Sequence, residues 1–197
     1  MIHRSVFTLM AVLCLSLGLA TAQAQIPDKV EFENNWGDTG YTVVSQTETG
    51  VDIVFSIPHV DFSELVVNGE KMTTLNIPGA MLPNDAGAPN LPGTGRFIAF
   101  PRGASVSVEV LDSRSKVYEG VNVAPAAPIQ SDNDDSPPVY EKDLSIYEAN
   151  SFYPAAPVRL SQLTLMRGVD VVILGITPFA YNPVSKDLVV YSDFRVR

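Results

Sequence analysis

Short runs of β-branched and aromatic residues, alternating apolar with polar and broken by Gly, Pro and Asn, recur from Tyr41 to the end of the chain. A period of two is the pattern of half-buried strands, and no apolar repeat at helical spacing outlasts about two turns. Tyr41 to Thr47 and Val51 to Ile57 predict a hairpin closed by Glu48-Thr49-Gly50. Val60, Phe62, Leu65 and Val67 predict a third strand, and Asn68-Gly69 before Met72 to Ile77 predicts a tight return. Phe97 to Phe100 is a short strand, after which Val106, Val108 and Val110 alternate with Ser105, Ser107 and Glu109, so one face should be buried. Asp112-Ser113-Arg114-Ser115 is expected at a hairpin tip, with Val117 to Val123 pairing back. Towards the C-terminus, Val171 to Leu174 reads as a strand covered on both faces. Leu188, Val190, Phe194 and Val196 alternate with Val189, Tyr191, Asp193 and Arg195. These two are expected to form a long hairpin across Asn182 to Asp187, where Asn caps its own backbone and Pro presets φ.

Breakers divide these runs. Residues 78–92 and 124–138 are rich in proline, which cannot donate to a ladder, so both are expected to cross the surface. Residues 139–151 should make one helical turn around Leu144, Ile146 and Tyr147. The expected fold is all-β: a two-layer, antiparallel, sandwich-like domain over 41–197 with proline-rich crossing loops. A polar, turn-rich lead-in around Trp36 occupies residues 25–40.

Composition narrows the chemistry. A chain of 197 residues, 46% hydrophobic, has room for one ordinary domain at about 150 residues each. Its formal net charge of −9 argues against a phosphate-binding surface, so nucleic acid is not an expected partner. His3 and Arg4, the apolar run Val6 to Ala20 and Ala22-Gln23-Ala24 predict a secretory signal peptide over 1–24, cut between Ala24 and Gln25. The apolar run is short for an anchor, and Leu13 before Cys14 does not suit a lipoprotein signal. The mature chain would therefore be secreted, periplasmic or at the cell surface, with no membrane span. Cleavage removes Cys14, leaving no thiol and one imidazole, His59. That excludes a cysteine nucleophile, a disulfide and a Cys/His zinc site from the mature stretch. No G-x-S-x-G accompanies His59, which follows Pro58 and reads as a strand-edge residue. Asp132, Asp134, Ser136 and Asp143 fall at EF-hand spacings, but Pro137 stands where that loop needs glycine. Calcium is not expected at Asp132, Asp134 or Asp135, and no other cofactor is. No carboxylate pair has a spacing that singles it out for lyase or hydrolase chemistry. An adhesive or carbohydrate-binding sandwich is the alternative, though Trp36, Tyr41, Tyr118 and Tyr140 are scattered in sequence.

Three blocks together resemble the propeptide domain of the gingipain family, the caspase-like secreted cysteine endopeptidases of the C25 type. They are GAPNLP with FIAFPRGASVSVEV (Gly87 to Pro92, Phe97 to Val110), the APAAP exit (Ala124 to Pro128), and Tyr147 to Tyr191. The last carries Tyr-Pro, Arg167-Gly168, an apolar strand, Pro178 and Tyr181-Asn182-Pro183. The resemblance implies an all-β prodomain that helps a downstream protease fold and covers its active-site cleft until removed. The implied partner is that cysteine protease domain, in the same precursor. The family's catalytic His and Cys lie beyond this region, so no catalytic residue carries over and the chain alone should lack peptidase activity. Family proteases favour basic residues at the cleaved position, so an exposed Arg or Lys could enter the specificity pocket. Arg114 is the first candidate, Arg102 and Lys186 the next. Arg195 and Arg197 are candidate processing points, although their alternating setting suits a sheet, and the sequence is expected to stop within the domain.

Overall fold

The computed structural model describes residues 26–80 and 85–197. The signal peptide over 1–24 and its cleavage point at Ala24 and Gln25 lie outside the described residues. Within them, β1 (Lys29–Glu31), β4 (His59–Val67) and β5 (Glu70–Asn76) form one sheet in the order β1-β4-β5. A second sheet is built on β10 (Val169–Ile176), flanked by β6 (Thr94–Phe100) on one edge. Its other edge pairs with β8 (Val158–Leu160) and β9 (Thr164–Met166). The third is built on β12 (Asp187–Val196), which pairs along its length with β7 (Val110–Tyr118). The opposite edge of β12 meets β11 (Phe179–Asn182) first and β3 (Val51–Ser56) next, and β2 (Gly40–Gln46) closes the sheet. Every pairing between named strands is antiparallel, so the fold is all-β as expected. The one helix among the described residues, α1 (Leu144–Tyr147), stands where one helical turn was expected, with Asp143 accepting from the Ser145 amide as its N-cap.

One core joins the three sheets. Ile53, Phe55 and Ile57, Val60 and Phe62, Leu174 and Ile176, and Leu188, Val190, Phe194 and Val196 belong to a single buried cluster. Each such side chain contributes about 1.5–3 kcal/mol on burial, and this is what makes the alternation legible. Asn68 (φ 50°) and Gly69 (φ 83°) form the tight turn expected from their sequence. Arg167 (φ 50°) and Gly168 (φ 82°) form a second turn of this kind between β9 and β10. There an arginine holds the left-handed position usual for Asn or Gly, at a cost of about 1–2 kcal/mol.

The C-terminal hairpin is not the one expected from sequence. Thr177-Pro178 interrupts the chain, so Val171 to Leu174 enters the second sheet and β11 supplies the partner of β12. The turn itself is as read: Asn182 Oδ1 accepts from the amides of Val184 (3.0 Å) and Ser185 (3.3 Å). The valines at 106, 108 and 110 do not bury one face of a strand either. Val106 and Val110 are 38% and 45% exposed, and the ladder starts only at Val110. The lead-in, in turn, contributes strand β1.

Neither proline-rich stretch simply crosses the surface. Ala88, Leu91, Val123, Ala124 and Ala126 are buried, and the two stretches bond to each other and to β5. Gly87 N donates to Ala126 O (2.9 Å), Ala126 N to Ala88 O (2.8 Å), Asn90 N to Ala124 O (2.8 Å) and Ala124 N to Thr73 O (2.8 Å). A strand residue donates towards one edge only, so prolines at 89 and 125, spaced between these donors, cost the ladder nothing. Two tyrosine hydroxyls finish the seam: Tyr181 donates to Val121 O and Tyr147 to Val123 O, both at 3.0 Å.

Candidate docking surfaces

Arg114 is not on a hairpin tip. Asp112 to Ser115 lies within β7, and Arg114 stands opposite Asp193 of β12, beside a bulge at Ser192. The bulge turns Ser192 and Asp193 towards one another's partners. Asp193 is fully buried, yet every bond its carboxylate needs is present. Oδ1 accepts from Ser56 Oγ (2.7 Å) and the Trp36 amide (2.9 Å); Oδ2 accepts from Ser192 Oγ (2.8 Å), Arg114 Nε (2.7 Å) and Arg114 Nη2. Burial alone would raise this carboxyl, but the bonds from Ser56, Trp36, Arg114 and Ser192 outweigh it and hold the group below its ordinary value. Arg114 Nη2 also donates to Asn34 O (2.8 Å), and the Arg114 and Arg195 guanidiniums lie over the Trp36 ring at 5.8 and 5.9 Å. The lead-in is thus tied to the third sheet through one carboxylate, and Arg114 is engaged within the fold.

The remaining basic candidates differ in freedom. Arg102 and Lys186 are exposed in turns, and neither is in an ion pair among the described residues. Arg195 is in β12, and Arg197 just beyond it holds Asp52 through Nε (2.7 Å) and Nη2 (3.0 Å) while its amide bonds Glu109 O. His59 starts β4, half-buried, 3.5 Å from Asp61. Of the aromatic residues weighed for glycan binding, Tyr41 gives its hydroxyl to Thr94 O and Leu174 O, and Tyr118 packs on Phe62. Trp36 lies under its two guanidiniums, so these rings form no shared platform.

Residues 127–142 form an exposed arm, most of it in the second proline-rich stretch expected at the surface, but the sequence did not show how it is clasped. Both its feet hold Gly87: the Gly87 amide donates to Ala126 O and the Gly87 carbonyl accepts from Asp143 N, each at 2.9 Å. Gly87 has φ +82°, and a Cβ there would stand 3.1 Å from both Asp143 N and Glu141 O, so only glycine fits the clasp. Lys142 braces the outgoing foot on Glu70 at 2.8 Å. Beyond the feet, Ile129 is 81% and Val139 62% exposed. Asp134 accepts from the Ser136 amide (3.0 Å) and hydroxyl (2.6 Å), which hold its carboxyl low, and Asp132 and Asp135 are exposed nearby.

The Propeptide_C25 family model matches residues 33–197. The chain belongs to the C25 propeptide family. Lys-gingipain of Porphyromonas gingivalis is 26% identical over 199 residues, covering 98% of this chain and 11% of that protein. Gingipain R1 of the same organism is 30% identical over 116 residues, 57% of this chain and 11% of that protein. This propeptide chain therefore spans 11% of the length of these relatives. Its fold matches a chain of the Porphyromonas gingivalis RgpB pro- and mature-domain complex with a TM-score of 0.72, at 23% identity over 79% of this chain and 82% of that one. A structure that addresses the zymogenic latency of gingipain K matches with a TM-score of 0.67, again at 23% identity, over 85% and 96%.

Proposed function

We propose that this C25 propeptide assists the folding of a gingipain-like cysteine endopeptidase domain in the same precursor, keeps it latent, and is removed by proteolysis. The observation that carries the reading is the family match over 33–197, joined to a fold shared with the pro-part of a pro- and mature-domain complex. The mature stretch, cut after Ala24 and exported, has neither a thiol nor a second imidazole, so its contribution is restraint rather than peptide hydrolysis. Latency comes from covering the peptidase surface. The clasped arm is suited to this, because its feet are fixed while its apolar and acidic side chains face outward.

A basic residue in the specificity pocket would be Arg102 or Lys186. Arg114 could enter a pocket only by abandoning buried Asp193, and breaking a buried pair costs about 3–5 kcal/mol. Residues 25–197, added to the peptidase domain of the same precursor, should inhibit peptide cleavage stoichiometrically and show no cleavage alone. Failure to inhibit, or hydrolysis by the isolated chain, overturns this reading. Loss of inhibition in Arg102→Ala or Lys186→Ala, at unchanged melting temperature, would identify the basic contact.

A further inference from the structure

One face of the second sheet is apolar, and among the described residues Phe97, Val169 and Met166 stand exposed on it around Val171, which is itself buried. Strand register puts Phe97 opposite Ile173, Ala99 and Thr164 on either side of Val171, and Met166 opposite Val169, all on one face. Ile98, Leu174 and Ile176 turn to the other side and pack with the core. On the open face Phe97 is 56%, Val169 47% and Met166 40% exposed. The strip from Val169 to Gly175 runs about 20 Å at the usual rise of a strand.

An arginine stands at each end. Arg159, paired with Gly175, lays its side chain across that glycine, with Cγ 3.6 Å and Nε 3.8 Å from where a Cβ would be. Arg167 occupies the β9–β10 turn, exposed and in the left-handed conformation that an asparagine would adopt more easily. Neither guanidinium is in an ion pair among the described residues. No carboxylate shares the face either: Asp170, paired with Phe100 and Leu165, points to the opposite side. A chain of net charge −9 thus keeps one apolar surface bounded by two unpaired cations.

We propose that this face, with Phe97, Val169 and Met166 as its apolar centre and Arg159 and Arg167 as end anchors, seats the peptidase domain of the same precursor. The partner surface is correspondingly apolar, with carboxylates placed to meet the two guanidiniums. The proposal rests on the pro-region reading. Two observations choose that occupant over others: the relatives extend far beyond the 11% of their length that this chain matches, and the matched RgpB chain was solved with its mature domain. The left-handed backbone at Arg167 is the kind of local cost found where a residue has a contact to make.

The test is calorimetric titration of residues 25–197 into the peptidase domain, with circular dichroism melts of every variant. Arg167→Asn suits the turn and should melt no lower than the parent while binding at least about tenfold more weakly. Phe97→Glu should weaken binding about a hundredfold. Val66→Glu, an equally exposed change at 59% on the first sheet, should bind like the parent. If the parent does not bind, the pro-region reading itself fails. If the parent binds and both Arg167→Asn and Phe97→Glu bind within about twofold of it, the docking face is wrong and the pro-region reading stands. A parent dimer in light scattering that Phe97→Glu dissociates would assign the face to a second copy and equally overturn the proposal.

Discussion

Replacing Asp193 by Asn keeps the shape of the side chain and removes the charge that Arg114, Ser56, Ser192 and the Trp36 amide all address. Five donor contacts converge on two oxygens, so whichever way the amide is placed, its NH2 group meets donors. A bond to a charged partner is worth about 1.5–3 kcal/mol, and a buried donor left unsatisfied costs about 1–3 kcal/mol more. Arg114 is 37% exposed and recovers part of its loss in water, which brings the sum to about 3 kcal/mol. For a domain of this size that lowers the melting temperature by about 6–12 °C. The same carboxylate sets an acid limit. Its native pKa lies below the ordinary value of about 3.9, so the native state binds fewer protons than the unfolded one between the two. The stabilisation is complete above the unfolded value and is lost as pH falls through the native one. Urea melts of the parent should therefore weaken steeply below about pH 4, and those of Asp193→Asn less so. An Asp193→Asn protein within about 0.5 kcal/mol of the parent at pH 7, or a double-mutant cycle with Arg114→Ala showing no coupling, would refute the reasoning.

Other outcomes follow from single contacts. Tyr181→Phe strips a buried hydroxyl from Val121 O and should destabilise by about 1–3 kcal/mol in chemical denaturation. Tyr118→Phe removes a buried hydroxyl with no partner and should be neutral or mildly stabilising in the same assay. Gly87→Ala presses a methyl group against the outgoing foot of the arm at Glu141 and Asp143, so limited proteolysis should cut residues 127–142 faster than in the parent. Arg114→Ala should lower the melting temperature even where inhibition, corrected for folded fraction, is unchanged.

What the sequence revealed and what it hid separate along one physical line. Alternation of Leu188, Val190, Phe194 and Val196, and the Asn68-Gly69 turn, are local signals, and β12 and the β4–β5 hairpin follow them. Pairing is not local. Val171 to Leu174 and β12 both read as strands, but Thr177-Pro178 sends them to different sheets, and no count of apolar residues reports that. The Asp-Ser-Arg-Ser segment has turn composition yet runs straight through an edge strand, because its arginine answers a carboxylate 79 positions away. Proline counting failed for a related reason: it scores residues, whereas a ladder needs donors only towards its partner edge, and Gly87, Asn90, Ala124 and Ala126 supply them. The same stretch shows what that framework leaves free. A ladder that tolerates prolines brings Ala126 and Asp143 to the two sides of Gly87. The intervening residues are freed from that pairing, and Ile129 and Val139 among them stand exposed.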